Sequence, residues 1–181
     1  ALARELRGIT REFGAKLFIN DRVDVAVAVG ADGVHLGEQS MPASAVRKIV
    51  GKDMLIGVST HSIDEAREAE AQGADFITYG PVFKTTSKTK YGRPVGAESI
   101  YEVKKAVKIP LFALGGIKSG NMGRVTHAGA DGVALISAIL DSFAPISRPM
   151  YITNIEVPAR DDAGDVAGSW HGPWDKLKQA E

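Results

Sequence analysis

Two spacings alternate along the chain. Short apolar runs rich in Val, Ile and Phe, at residues 16–19, 33–36, 54–58, 75–79, 111–114 and 132–136, predict strands. Between them lie stretches with apolar positions three and four apart, at 2–13, 22–29, 42–50, 62–72, 97–107 and 121–128, which predict helices. The order is βαβα throughout, the pattern of a parallel sheet whose connections are helices. Runs that are apolar at nearly every position, rather than at every second one, fit a parallel sheet covered on both faces.

Helix boundaries carry their own signals. Ser62 is followed three residues later by Glu65, the spacing of a capping box, and Ser40-Met41-Pro42 and Ser119 are further candidate helix starts. The phrases VGADGVHL, QGADFITY and AGADGVAL each set Gly at a helix stop, then Ala-Asp, then an apolar strand. The repeating unit is therefore helix, Gly-Ala-Asp, strand.

Such a chain can wind into a barrel or into a doubly wound open sheet. Two features favour the barrel: no GxGxxG opens the first helix, and polar residues follow nearly every strand instead of gathering at one switch point. The predicted class is α/β, a TIM-type (β/α)8 barrel. A full barrel has eight units in ~250 residues. This chain shows six strands and opens on a helix, so the first one and a half to two βα units are expected to be lacking. Residues 1–141 are then a partial barrel, and 142–181 an irregular tail with Pro145, Pro149, Pro158, Pro173 and an Asp161-Asp162 pair. Within that tail, residues 150–157 could pair with an open sheet edge. Open edges also favour self-association into a homo-oligomer.

Composition narrows the function classes. A chain of 181 residues that is 44% hydrophobic buries one sizeable core. Lys plus Arg and Asp plus Glu are both 22, so no basic surplus is available to attract a nucleic acid. With no cysteine, a disulfide scaffold, thiolate metal sites and a cysteine nucleophile are excluded together, which suits the cytoplasm. The opening ALARELRGITREFG is too charged for a signal peptide, and no apolar run approaches the ~20 residues that span a bilayer. A cytoplasmic protein with no membrane partner is expected.

Candidate chemistry follows the strand ends. Gly115-Gly116-Ile117 comes after the run at 111–114, and Ile136-Ser137-Ala138 closes the run at 132–136. Unpaired N–H groups at glycine turns and helix starts suit a phosphate, and barrels hold phosphate in their last two loops. The alternative is that Gly-Gly only makes a tight turn and Ser137 only caps a helix. Asn20-Asp21 sets a carboxylate just after a strand, either as a helix N-cap or as a hard oxygen ligand for Mg²⁺ bridging to diphosphate; spacing does not decide. In Ser59-Thr60-His61-Ser62, the histidine is either a structural partner or a proton-transfer group. The long loop GPVFKTTSKTKYGRPVG, residues 80–96, carries Thr85, Thr86, Ser87, Lys88, Lys90 and Arg93. Those hydroxyls and cations suit anionic oxygens, or form a solvated basic loop.

The phrases LFINDRVDVA, ADGVHLG, IGVSTHS, GADFITYGPVF, TTSK, GRPVG, FALGGI and GADGVALISAI follow one another in a specific order and spacing from residue 2 to about 140. On these phrases the chain resembles the thiamine phosphate synthase family, whose close relative is thiazole tautomerase. The resemblance implies a barrel that joins hydroxymethylpyrimidine diphosphate to thiazole phosphate with Mg²⁺, giving thiamine phosphate and pyrophosphate. By position, Asn20 would contact the pyrimidine diphosphate, Asp21 would bind Mg²⁺, and Ser59 and Lys88 would hold the diphosphate and assist its departure. Thr85, Ser87, Gly116, Ile136 and Ser137 fall where the family contacts thiazole phosphate. His61 falls where the tautomerase uses a histidine for proton transfer.

Three departures from the family pattern stand out. Ser40 occupies the position where many members carry a second acidic Mg²⁺ ligand, with Glu38 nearby as a substitute. The family's Gln-x-Arg-x-Lys segment has no counterpart, and the tail from Ser142 does not resemble the closing helix. The reading is synthase first, with tautomerase and a non-catalytic phosphate-binding remnant as alternatives. A sugar-phosphate isomerase barrel would share the Gly115-Gly116 and Ser137 site but leaves the loop from Thr85 to Lys88 unexplained.

Overall fold

Each predicted apolar run forms a strand, and the strands pair in chain order. The structure, a computed structural model, describes residues 2–85 and 93–136. Its elements are α1 Leu2–Glu12, β1 Phe18–Asn20, α2 Val23–Val29, β2 Gly33–Leu36, α3 Ala43–Val50, β3 Leu55–Thr60, α4 Ile63–Ala71, β4 Phe76–Tyr79, α5 Glu98–Ala106, β5 Leu111–Leu114, α6 Met122–His127 and β6 Gly132–Ala134. The sheet order is β1-β2-β3-β4-β5-β6 and every pairing is parallel. A doubly wound sheet reverses its order at a switch point; here nothing reverses, so right-handed crossovers put every helix on the same face. The result is a six-stranded arc of a TIM-type barrel. The expected tail at 142–181, with its run at 150–157, lies outside the described residues, as do Ser87, Lys88 and Ser137.

Strand residues alternate between two environments. Outward, Val34, Leu36 and Ile56 pack with Val23 and Ala26 of α2 and Val46 of α3. Further along, Ile77, Leu111 and Val133 pack with Ala66 of α4, Ile100 of α5 and Val125 of α6. Inward, Phe76 meets Phe18 and Phe112 edge-on, with centroids 5.3 and 5.5 Å away. Each of these rings sits beside a glycine at its register partner: Phe18 with Gly33, Phe76 with Gly57, Phe112 with Gly132. A Cβ on Gly57 would stand 2.2 Å from the Phe76 ring, so that glycine supplies space rather than flexibility. The strands are therefore not apolar throughout. Only the outward positions are, and the inward ones mix Phe, Gly and polar groups.

The Gly-Ala-Asp repeats perform one task three times. Asp32, Asp75 and Asp131 each accept the N–H of a residue on or just before the preceding strand, Leu17 at 2.8 Å, Ile56 at 2.6 Å and Leu111 at 2.8 Å, through Oδ2. Each also donates its own N–H back to the same residue's carbonyl. The same oxygen of each carboxylate also meets a cation from a preceding helix: Arg7 of α1, Arg47 of α3 and Lys104 of α5. These rings close the N-terminal end of the sheet, the face of a barrel that serves stability.

Helix starts agree in part with their signals. Glu65 N–H donates to Ser62 Oγ at 3.2 Å, as a capping box requires, and the Glu65 carboxylate returns to the N–H of His61, at 2.8 Å, instead of that of Ser62. Ser40 does not cap α3, whose N-cap is Pro42 with no side-chain bond, and Ser119 does not cap α6, which follows Asn121. β3 runs on to Thr60, so Ser59 belongs to the ladder and not to the loop after it. α1 buries none of its residues fully; Leu6 packs on the core while Leu2 and Ile9 are exposed, as is Phe13 just after the helix. No helix of the described residues is long and apolar enough to cross a membrane.

Candidate active site

Because every strand is parallel, all six C-terminal ends lie on one rim, and the described residues among those singled out from the sequence follow these ends or stand on them. Asp21 follows β1 directly. It has φ +60°, the left-handed region, alone among the described non-glycine residues. Aspartate tolerates that region better than most residues. Its side chain does not cap α2, whose N-cap is Arg22 with no side-chain bond. Instead the Asp21 carboxylate accepts a hydrogen bond from Ser40 Oγ, and Ser40 Oγ in turn accepts the Gly37 N–H at 2.6 Å. The loops after β1 and β2 are thereby tied together, with Glu38 exposed beside them. Asn20 is likewise exposed at the end of β1.

Inside the rim, β2, β3 and β4 contribute a buried polar chain. Thr78 Oγ1 donates to Ser59 Oγ at 3.3 Å and lies 3.3 Å from His35 Nε2. Thr78 and His35 are buried, and Ser59 is half-buried. Neither His35 nor Thr78 was singled out from the sequence. The available signal was a polar residue at the inward position of otherwise apolar runs, VHL and ITY. A cavity of about 370 Å³ lies between the loop after β2 and α4, with Glu38, Ser40, Met41, Ser59 and Glu68 in its wall; His35 and Thr78 do not line it.

His61, after β3, is half-buried, and its Nδ1 hydrogen-bonds the Gly80 carbonyl. A carbonyl only accepts, so Nδ1 carries the proton and is committed to the main chain. The Gly80-Pro81 peptide is cis.

The turn after β5 is built by close approach. Gly115 and Gly116 have φ +97° and +65°. Val82 N–H donates to Leu114 O at 2.8 Å and Phe83 N–H to Gly115 O at 3.0 Å, which pulls the loop after β4 onto the turn. A Cβ on Gly116 would lie 2.6 Å from the Lys84 carbonyl oxygen. Asn121, also missed from the sequence, braces the turn: Nδ2 donates to Gly116 O at 3.0 Å and Oδ1 accepts the Lys118 N–H at 2.8 Å. Among the described residues, the N–H groups of Gly115, Gly116 and Ile117 donate to no backbone carbonyl. N–H groups without a backbone acceptor at such a turn favour an anion. Thr85 and Ile136 stand half-buried on the adjoining segments.

The donors at the rim also bear on a metal. Among the described residues no group of three or more His, Cys, Asp and Glu gathers to hold one. Asp21 with Ser40 instead fits a cation that takes one carboxylate from the protein and its remaining oxygens from phosphate and water, the habit of Mg²⁺.

A family model described as thiamine monophosphate synthase matches residues 1–139. The chain belongs to this family. A Geobacter sulfurreducens relative is 52% identical over 161 residues, covering 89% of this chain and 76% of its own length. The thiamine-phosphate synthase of Moorella thermoacetica is 46% identical over 139 residues, 77% of this chain and 66% of its own length. Among solved structures, thiamine phosphate pyrophosphorylase from Pyrococcus furiosus superposes with a TM-score of 0.70 at 43% identity, covering 77% of this chain and 66% of that one. The chain thus spans just under two thirds of the length of the Moorella and Pyrococcus members.

Proposed function

We propose that this member of the family is a thiamine phosphate synthase, coupling hydroxymethylpyrimidine diphosphate with thiazole phosphate to give thiamine phosphate and pyrophosphate. The observation that carries the reading is one rim bearing two polar features of different kind: the Asp21 and Ser40 pair, which suits a cation bridging to a diphosphate, and the Gly115-Gly116 turn, whose N–H groups donate to no backbone carbonyl among the described residues and suit a phosphate. The turn, with Thr85 and Ile136 beside it, is assigned to thiazole phosphate; Ser87 and Ser137 carry over to the same end from the resemblance. Asn20 and Ser59 are assigned to the diphosphate, together with Lys88.

In this reaction the bond from the pyrimidine methylene carbon to the diphosphate oxygen breaks, and the electron pair leaves with pyrophosphate. The thiazole nitrogen lone pair then forms the new C–N bond. No protein nucleophile is needed, so the residues act by holding and orienting two anions at a fixed separation. Asp21 with Ser40 would hold Mg²⁺, which when bound supplies neutralising charge for the departing diphosphate.

The test is to incubate the chain with both substrates and Mg²⁺ and to measure pyrophosphate. Release that requires both substrates, and falls about a hundredfold in Asp21→Asn, is expected. Thiazole isomerisation without pyrophosphate would make the protein a tautomerase. No turnover, with no shift in melting temperature at saturating thiamine phosphate, would make it a non-catalytic remnant.

A further inference from the structure

We propose that His35 is a positioning residue that sets the direction of a hydrogen-bond chain ending on Ser59, so that Ser59 offers a proton, and not a lone pair, to a bound diphosphate. The proposal rests on the reading above that Ser59 meets the diphosphate.

The three groups come from three strands and point into the barrel: His35 from β2, Thr78 from β4 and Ser59 from β3. The Thr78 hydroxyl has a single proton. When it donates to Ser59 Oγ, 3.3 Å away, it can offer His35 Nε2, also at 3.3 Å, only a lone pair. That second contact is favourable when Nε2 carries a proton. The chain then runs from His35 Nε2–H to Thr78 Oγ1–H to Ser59 Oγ, and the proton of Ser59 is left over for an acceptor on the rim. With Nε2 unprotonated the direction reverses: Thr78 donates to the histidine, Ser59 donates to Thr78, and Ser59 turns a lone pair toward the anion. A hydroxyl that repels a phosphate oxygen is thus converted into one that binds it by a group two bonds removed.

His35 is 8% exposed and Thr78 3% exposed, so water has little access to the contact between them. The Phe76 ring, with its centroid 6.0 Å from that of His35, packs on the same inward face.

The test measures binding of inorganic pyrophosphate in the presence of Mg²⁺ by titration calorimetry on the full chain, with melting temperature recorded for each variant. Ser59→Ala, Thr78→Val and His35→Leu are each expected to weaken binding about tenfold, the size of a lost hydrogen bond to a charged group. His35→Gln, which keeps an N–H donor near the Nε2 position, and Thr78→Ser, which keeps the hydroxyl, are expected to restore most of it. In a Ser59→Ala background, His35→Leu should add nothing, because the chain has lost its end; a merely structural histidine would add its full cost. If the parent chain or Ser59→Ala shows that Ser59 makes no contribution to pyrophosphate binding, the diphosphate reading of Ser59 fails and the chain with it. If Ser59→Ala weakens binding while Thr78→Val does not, or His35→Gln is as poor as His35→Leu, or the Ser59 and His35 effects add, the diphosphate reading stands and the directing role of His35 is overturned. Should His35→Leu not fold, the Thr78→Val and Thr78→Ser pair decides on the same criteria.

Discussion

Replacing Asp75 by alanine removes one of the three carboxylates that close the lower end of the sheet. Two separate losses follow. The Ile56 N–H, on a residue with no exposure, loses its acceptor at 2.6 Å. A stranded buried donor costs about 1–3 kcal/mol. The Arg47 guanidinium loses its ion pair at 2.5 Å, in which both side chains are about a quarter exposed. Such a pair falls between the ~0–1 kcal/mol of surface pairs and the larger penalty of buried ones, so about 1 kcal/mol is assigned to it. The sum is about 2–4 kcal/mol. Asp75→Asn keeps an acceptor for Ile56 and loses only the charge, and should cost about 1 kcal/mol. In urea unfolding, with a slope near ~2 kcal/mol per molar, alanine should move the midpoint by about 1–2 M and asparagine by about 0.5 M. An alanine shift no larger than the asparagine shift would refute the claim that the stranded N–H dominates. The cation side offers an internal comparison. Arg47 also donates to the carbonyls of Gly51, Met54 and Gly73, whereas Lys104 meets Asp131, so Arg47→Ala should cost more than Lys104→Ala.

Two further outcomes follow from single residues. Gly116→Ala adds a Cβ at 2.6 Å from the Lys84 carbonyl and forces a side chain to φ +65°; about 2 kcal/mol of stability should be lost, and an urea midpoint unchanged from the parent would contradict the close approach described here. The Arg22 guanidinium hydrogen-bonds the Asp24 carboxylate and holds its pKa down at about 2; because the folded value lies below the ordinary one of ~4, this contribution is present above that ordinary value and is lost as the pH falls through about 2. Carbon NMR titration of Asp24 in Arg22→Ala should show the pKa rising toward the ordinary carboxylate range, and an unmoved value would remove Arg22 as the cause.

The lower end of the barrel is legible in the sequence and the upper end only partly so, for a physical reason. Gly-Ala-Asp recurs because one geometric problem recurs: a helix must stop, a strand must start, and a buried N–H at the start of the previous strand needs an acceptor. Each solution lies within one unit and is repeated at Asp32, Asp75 and Asp131, so repetition along the chain exposes it. At the upper rim nothing repeats. Ser40 has the chemistry and the spacing of a helix cap, and only the approach of the loop after β1 turns it toward Asp21 instead. His35 and Thr78 lie 43 residues apart in runs whose outward neighbours are all apolar, and the contact between them exists only after β2, β3 and β4 align. Hydrophobic periodicity reads which face of a strand meets the helices; it is silent on what the opposite face encloses, because a barrel interior can be filled by rings, by glycine or by a hydrogen-bonded polar chain. Three Phe and Gly couples fill the lower part here and leave the last inward positions of β2, β3 and β4 to His35, Ser59 and Thr78. The polar chain is thus placed by what the core does not need, at the C-terminal end of the strands, the end that forms the rim.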